Sequence, residues 1–449
     1  MERFQLKQNG SDVKREVIGG ITTFLTMAYI IAVNANILGA TGMDMGAIVT
    51  VTCLTAGFTT IAMGLYANLP FALASGMGLN AFFAFSVVIG QSIPWKVALA
   101  AVFVEGLIFI ILSLTNVREA VVNAIPTTLK LAVTAGIGLF IAFIGFVDAG
   151  IVVSNDATKV AMGTFKSPAV LITVLGVIVI VVLSKKKVRG AILWGIVASA
   201  GAAWIYAMLK PITAATYGIY TPKGIFKLES ISPIAGELDF SYLTDPAKIL
   251  QFITIVLTFL FVDFFDTVGT LVGVASKVGM VDKDGKVKNA GKALLVDAVG
   301  TTVGAFLGTS TVTTYVESSA GVAEGARTGL ASVITGILFL IAMFFSPLFV
   351  AIPMCATAPA LIVVGFFMIG SITKIDFNDF TEGVPAFLTI ILMPLTYSIG
   401  DGLTIGLLSY AVLNGINNML TKDHTKRKKV SIIIYILALI FIAKLYYTG

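Results

Sequence analysis

Three carboxylates and one amide stand in stretches where an otherwise apolar chain has no structural need for them. Asp263 and Asp266 lie in FVDFFDTVGTLVGVA (261–275), Glu317 in TTYVESSAG (313–321) and Asn80 in LASGMGLNAFF (73–83). An ionised carboxylate at the centre of a bilayer costs roughly 2.5–3.5 kcal/mol on insertion scales, so each such residue is a candidate for function. Asp263 and Asp266 are three residues apart and Thr270 follows Asp266 by four, a spacing that puts all three on one face of a helix. A carboxylate accepts from two adjacent ring N–H groups, a carboxamide donates and accepts at once, and the rings of Phe71 and Tyr315 are available for stacking. The set suits a flat, neutral, NH-rich small molecule. Asp266, Glu317 and Asp263 are also the candidates to carry a coupling proton.

The elements that position these residues are membrane helices. Of 449 residues 57% are hydrophobic and 12% charged, about half the charge of a water-soluble chain, which makes this a polytopic all-α membrane protein. The first apolar segment, near 17–38, is too long for a signal-peptide core and lacks a small-residue cleavage pattern, so it is expected to remain as a span. Cys53 and Cys355 fall in apolar segments and read as small buried hydrophobes. The only histidine, His424, sits in the polar run KDHTKRKK, which leaves none for a metal site, a Ser-His-Asp triad or a proton relay. No metal or organic cofactor is expected. The net charge of +6 comes from basic residues scattered through loops without interleaved aromatics, so nucleic acid is not an expected partner; the lipid bilayer is.

Apolar runs between polar breaks predict fourteen spans, near 17–38, 47–67, 71–90, 97–115, 128–147, 167–184, 190–209, 248–275, 290–307, 311–323, 328–350, 355–372, 384–399 and 402–419. A run at 430–443 is short for a span and reads as an interfacial helix or an extra crossing. With a cytoplasmic N-terminus, most of the 30 basic residues fall on the cytoplasmic side, including Arg118, KKKVR (185–189), Arg327 and the cluster at 422–429. The polar segment 210–247 is expected to be an external loop over the gate.

The chain contains a weak internal repeat. AIPTTLKLAVTAGIGLF (124–140) matches AIPMCATAPALIVVGFF (351–367), and SPAVLITVLG from Ser167 matches GVPAFLTIIL from Gly383. The displacement is seven spans, and an odd number inverts the second half. The expected division is 1–209 for the first repeat, 210–247 for the linker, 248–419 for the second repeat and 420–449 for a basic stretch with a C-terminal apolar helix. Inverted repeats are the plan of many secondary transporters, whose sites form at the midplane from interrupted helices. The third and tenth spans fit that role. Gly76 and Gly78 in one, and Thr311, Val312, Thr313 and Thr314 in the other, predict a short extended piece followed by a half-helix, with Asn80 opposite Glu317.

At these residues the sequence resembles the nucleobase-cation symporter 2 superfamily, in its AzgA-like branch of adenine, guanine and hypoxanthine permeases. The resemblance rests on GGITTFLTMAYIIAVN (19–34), ASGMGLNAFFAF (74–85), FVDFFDTVGTLVGVA, TTYVESSAGVAEGARTGL (313–330) and TEGVPAFLTIILMPLTYSIGDG (381–402). It implies a seven-plus-seven inverted fold with a core domain (spans one to four and eight to eleven) and a gate domain (five to seven and twelve to fourteen). It places substrate binding on Asp266, Glu317 and Asn80, and implies purine import by proton symport across the plasma membrane and a homodimer through the gate domains. Thr270 stands where the uracil branch has a histidine, which argues against uracil. The alternatives are an anion carrier of the related sulfate/bicarbonate fold, disfavoured by buried acids, and an intramembrane aspartyl protease, for which SIGDGL around Asp401 is only a partial motif outside its context. A channel would show a repeated filter or charged ring, and none is visible. Asp401 is expected to cap the fourteenth helix, and Asp376, Asp379 and Glu382 to be solvated or capping acids.

Overall fold

The computed structural model describes residues 2–115, 126–277, 289–421, 428 and 430–448. Arg118, His424 and most of the 422–429 cluster lie outside the described residues. Helices α1 (Val13–Met27), α2 (Tyr29–Gly39) and α3 (Met45–Ala62) lead to a short strand, β1 (Leu73–Ser75), and the half-helix α4 (Met77–Ala81), followed by α5 (Trp95–Leu114). Then come α6 (Thr127–Asp148), a small hairpin of β2 (Val152–Asn155) and β3 (Lys159–Met162), α7 (Pro168–Lys185) and α8 (Ala191–Leu209). The second half runs α9 (Ile249–Lys277), α10 (Ala290–Leu307), β4 (Val312–Thr314), α11 (Ser318–Ala323), α12 (Gly329–Ala342), α13 (Met354–Ile369), α14 (Phe380–Leu395), α15 (Ile399–Leu420) and α16 (Ile432–Thr448). Among the described residues, nine helical stretches are long and apolar enough to cross a membrane.

Local sequence sets the helix ends. The Asp12 carboxylate accepts from Arg15 N at 2.9 Å to open α1, and Pro168 opens α7 at a position where its missing N–H is not needed. The expected cap of α15 is corrected: Ser398 Oγ accepts from Asp401 N at 3.2 Å, and Asp401 lies in the first turn, where a carboxylate faces the positive end of the helix dipole. The 152–162 hairpin was not foreseen. Asn155 makes it by accepting from Ala157 N and Thr158 N, an Asx turn that reverses the chain.

The helices sort into two groups. Helix α5 packs extensively on α10, and α3 and α1 on α12, forming a core. In the gate, α6 lies against α13 and α14, α7 against α8 and α13, and α14 against α15. Close approaches rely on glycine. A Cβ on Gly78 of α4 would meet Ile137 Cγ2 of α6 at 2.6 Å, so the half-helix lies directly against the gate. The 210–247 segment covers both groups, not the gate alone. Ile219 packs with Ala203, Ala207 and Cys355 of the gate, whereas Lys227 N donates to Phe344 O and Gly236 N to Phe306 O of the core. Both cysteines are buried free thiols.

Candidate functional site

β1 and β4 pair antiparallel in the interior, with Leu73 opposite Thr314, Ala74 opposite Thr313 and Ser75 opposite Val312. All six residues are buried. Gly76 N donates to Thr311 O at 2.9 Å and Tyr315 N to Ala72 O at 3.0 Å, which extends the ladder at both ends. Each strand feeds a half-helix, α4 or α11. A broken backbone at this depth is tolerated only where its polar groups are satisfied by protein or line a cavity.

Glu317 sits at the N-terminus of α11, and the Tyr29 hydroxyl donates to its Oε1 at 2.6 Å. Tyr29 opens α2 immediately after the break at Ala28, and Thr26 Oγ1 lies 3.5 Å from the Glu317 carbonyl. The first membrane helix therefore holds the glutamate at both ends. Asp266 of α9 faces the same point: its carboxylate is bonded by the Thr313 side chain, and Glu317 and Tyr315 are its electrostatic neighbours. The Tyr315 hydroxyl donates to Ser75 O, which ties the turn before α11 back to β1.

Asn80 is held by a relay. Asn34 Nδ2 donates to Thr309 Oγ1 at 3.2 Å, Thr309 Oγ1 to Ser75 Oγ at 3.1 Å, and Ser75 Oγ to Asn80 Oδ1 at 2.7 Å. The Asn80 amide nitrogen is left buried without a partner among the described residues. A buried donor without an acceptor costs about 1–3 kcal/mol, which an incoming acceptor would recover.

The remaining sequence candidates divide. Asp263 shares a helix face with Asp266 but bonds different groups. It is fully buried and accepts from Thr267 Oγ1 at 3.2 Å, and Thr267 also lies 3.1 Å from Asp297 Oδ2 and 2.9 Å from Thr313 Oγ1. A helix turns 100° per residue, so positions 263 and 267 align more closely than 263 and 266. Thr270 is half-buried one turn beyond Asp266. Phe71 is fully buried in an apolar cluster with Leu73, Leu271 and Val322. Its ring therefore belongs to the packing behind the strands. Tyr29, Ser75, Thr313 and Asp297 were missed from sequence; only Asp297, an acid inside the apolar run 290–307, carried a visible signal.

Among the described residues there is no group of three or more His, Cys, Asp or Glu able to hold a metal ion. The site can accept from ring N–H groups through Asp266 and Glu317 and donate through Asn80.

Comparison with known proteins identifies the family. A family model described as the permease family, Xan_ur_permease, matches residues 14–405. The guanine/hypoxanthine permease PbuG of Bacillus subtilis is 46% identical over 448 residues, covering 98% of each chain. The adenine permease AdeQ of Escherichia coli is 43% identical over 411 residues, covering 91% of this chain and 89% of its own. Among solved structures, the transmembrane domain of the cyanobacterial bicarbonate transporter BicA superposes with a TM-score of 0.65 at 15% identity, over 88% of this chain and 97% of that one, a likeness of fold alone. The chain belongs to the nucleobase-cation symporter 2 permease family, in the AzgA-like branch whose motifs it carries.

Proposed function

We propose that the protein is a multi-pass membrane transporter, not an enzyme, that imports the purine nucleobases adenine, guanine and hypoxanthine by proton symport. The observation that carries the reading is the meeting of Asp266 and Glu317 beside the β1–β4 crossing, with the Asn80 amide nitrogen, unpartnered among the described residues, in the same strand-and-half-helix unit. A purine presents ring N–H donors to carboxylates and ring nitrogen or carbonyl acceptors to an amide, so the three side chains complement one flat molecule. PbuG and AdeQ are named for guanine/hypoxanthine and adenine respectively, and both align over most of this chain. The bicarbonate carrier shares the fold, but an anion would meet two acids here.

Two inverted halves, 1–209 and 248–419, form fourteen segments in this reading, with the 210–247 linker external and the N-terminus cytoplasmic. Supporting contacts come in matched pairs: α5 on α10 mirrors α12 on α3, and α7 on α8 mirrors α14 on α15. Transport follows movement of the core against the gate, and the gate domains form the homodimer contact. Asp266 and Glu317 carry the coupling proton, because a charge at this depth needs either a proton or a substrate N–H to offset its desolvation.

The test is uptake of labelled hypoxanthine, guanine and adenine by cells lacking their own purine carriers, at acid and neutral external pH, with native protein and Glu317→Gln. Saturable uptake that rises in acid and is lost in the variant supports the reading. Native protein that reaches the membrane and moves none of the three bases overturns it.

A further inference from the structure

A crevice of about 470 Å³ lies outside the site, between the core helices α1, α2 and α12 and the gate helix α8. That volume is within the roughly 300–1,000 Å³ of small-ligand pockets. Its walls are almost wholly carbon and include Tyr29, Val197, Ala200, Trp204, Ile341 and Phe345. It is partly open, at apolar positions of α8 and α12. Val197 and Ile341 are each about half exposed, and the neighbouring Ile205 and Ile337 extend that apolar surface. In its wall, Trp204 Nε1 donates to Ala351 O at 2.9 Å, which fixes the indole in place.

A second depression continues from the crevice. It shares Ile341 and Phe345 with the first and adds Phe226, Leu228 and Lys227. Lys227 is fixed in place by the bond from its backbone N to Phe344 O, while its ammonium is largely exposed and shared with Glu229 at 2.8 Å. An apolar slot thus runs from beside Tyr29 to a cation at the edge of the helices. An apolar cavity open to hydrocarbon takes up hydrocarbon, and a lysine at a membrane edge meets lipid phosphate.

We propose that this crevice binds one acyl chain of a bilayer phospholipid, with the headgroup phosphate at Lys227 and the chain lying between core and gate against the ring of Tyr29. The inference depends on the chain lying in a bilayer and not on which solute it carries. The occupant touches Tyr29, whose hydroxyl holds Glu317, so lipid and site share one side chain.

The protein contains three tryptophans, and Trp204 lines the crevice. In the full-length Trp95→Phe/Trp194→Phe chain, Trp204 is the only indole. Reconstituted in vesicles of dibrominated phosphatidylcholine, its fluorescence is expected to fall by more than half, and Ala200→Phe, which fills the slot, is expected to restore most of it. Val197→Phe, at the half-exposed mouth, gives the same reading if Ala200→Phe does not fold. Replacing the lipid by brominated phosphatidylglycerol should deepen quenching with Lys227 present and not in Lys227→Ala. Equal quenching in the filled and unfilled chains, with circular dichroism unchanged, overturns acyl-chain binding. Equal response of Lys227 and Lys227→Ala to the anionic lipid overturns the headgroup contact.

Discussion

The hydroxyl of Tyr29 donates a 2.6 Å hydrogen bond to Glu317, across 288 residues of sequence, and so joins the first membrane helix to the half-helix that follows β4. The bond fixes one carboxylate oxygen of Glu317. Hydrogen bonds to charged groups contribute about 1.5–3 kcal/mol. Tyr29→Phe keeps the ring in place and removes only this donor, so apparent affinity for the transported base is expected to fall about ten-fold or more, with protein abundance unchanged. Concentration dependence of uptake is the measurement. Unaltered affinity would mean that Glu317 is oriented by something else.

Ser75 links three parts of the site. Its hydroxyl donates to Asn80 and accepts from Thr309, while its carbonyl accepts from Tyr315. Ser75→Ala removes the first two and spares the third, so the strand crossing should survive while the Asn80 amide loses its orientation. The expected outcome is a several-fold rise in the half-saturating concentration with little change in melting temperature. A large fall in melting temperature would instead show that the relay from Asn34 to Asn80 serves mainly to hold the strands.

Thr267 stands between Asp263, Asp297 and Thr313, and Thr313 bonds Asp266. The Thr267 hydroxyl thus connects two buried acids to Thr313 and through it to Asp266. Thr267→Val keeps the shape and deletes the hydroxyl. Uptake at saturating substrate is expected to lose its dependence on external pH before it loses binding of the base, read by comparing uptake profiles with binding to the purified protein. Proportional loss of both would make Thr267 a packing residue.

The sequence disclosed most of this site's chemistry and less of its wiring. Apolar runs marked the helices, and the conflict between Gly76 or the Thr311–Thr314 cluster and helical propensity marked the two breaks, because those signals are local. The strand–half-helix pattern of β1–α4 and β4–α11 follows from them. What the sequence did not show was turn length and partner choice. Gly76 alone separates β1 from α4, whereas Tyr315, Val316 and Glu317 separate β4 from α11. Tyr315 and Val316 lengthen the turn before α11, and a period of two carries no mark of that addition. Tyr29 was unreadable for a different reason: a tyrosine in an apolar helix is ordinary until a fold brings a carboxylate to its hydroxyl. Phe71, two residues before β1, packs with Leu73, Leu271 and Val322, a placement that its neighbours in sequence do not mark.

The last device is at the membrane edge. Lys428 Nζ bonds Asp379, the cap of α14, together with Thr381 Oγ1 at 2.8 Å and Glu382 Oε1 at 3.1 Å, and its backbone is paired with Asn418 of α15. This latch fastens the segment before α16 to the gate. The hydrogen bond from Lys428 holds the Asp379 carboxyl below the usual carboxylate range, helped by Thr381. A carboxyl whose pKa is lowered by folding stabilises the fold fully above its unfolded value, and that contribution is lost as pH falls through the folded value. Because the pair is only partly buried and solvent screens it, the effect is worth about 1 kcal/mol or less. Lys428→Ala should therefore lower the melting temperature of the purified protein by a few degrees at pH 7, and the gap from the native chain should close in acid, as Asp379 takes up its proton in both. Thermal unfolding of the two proteins across that range decides it: a gap that stays constant into acid would assign the role of Lys428 to its aliphatic stem and backbone bonds.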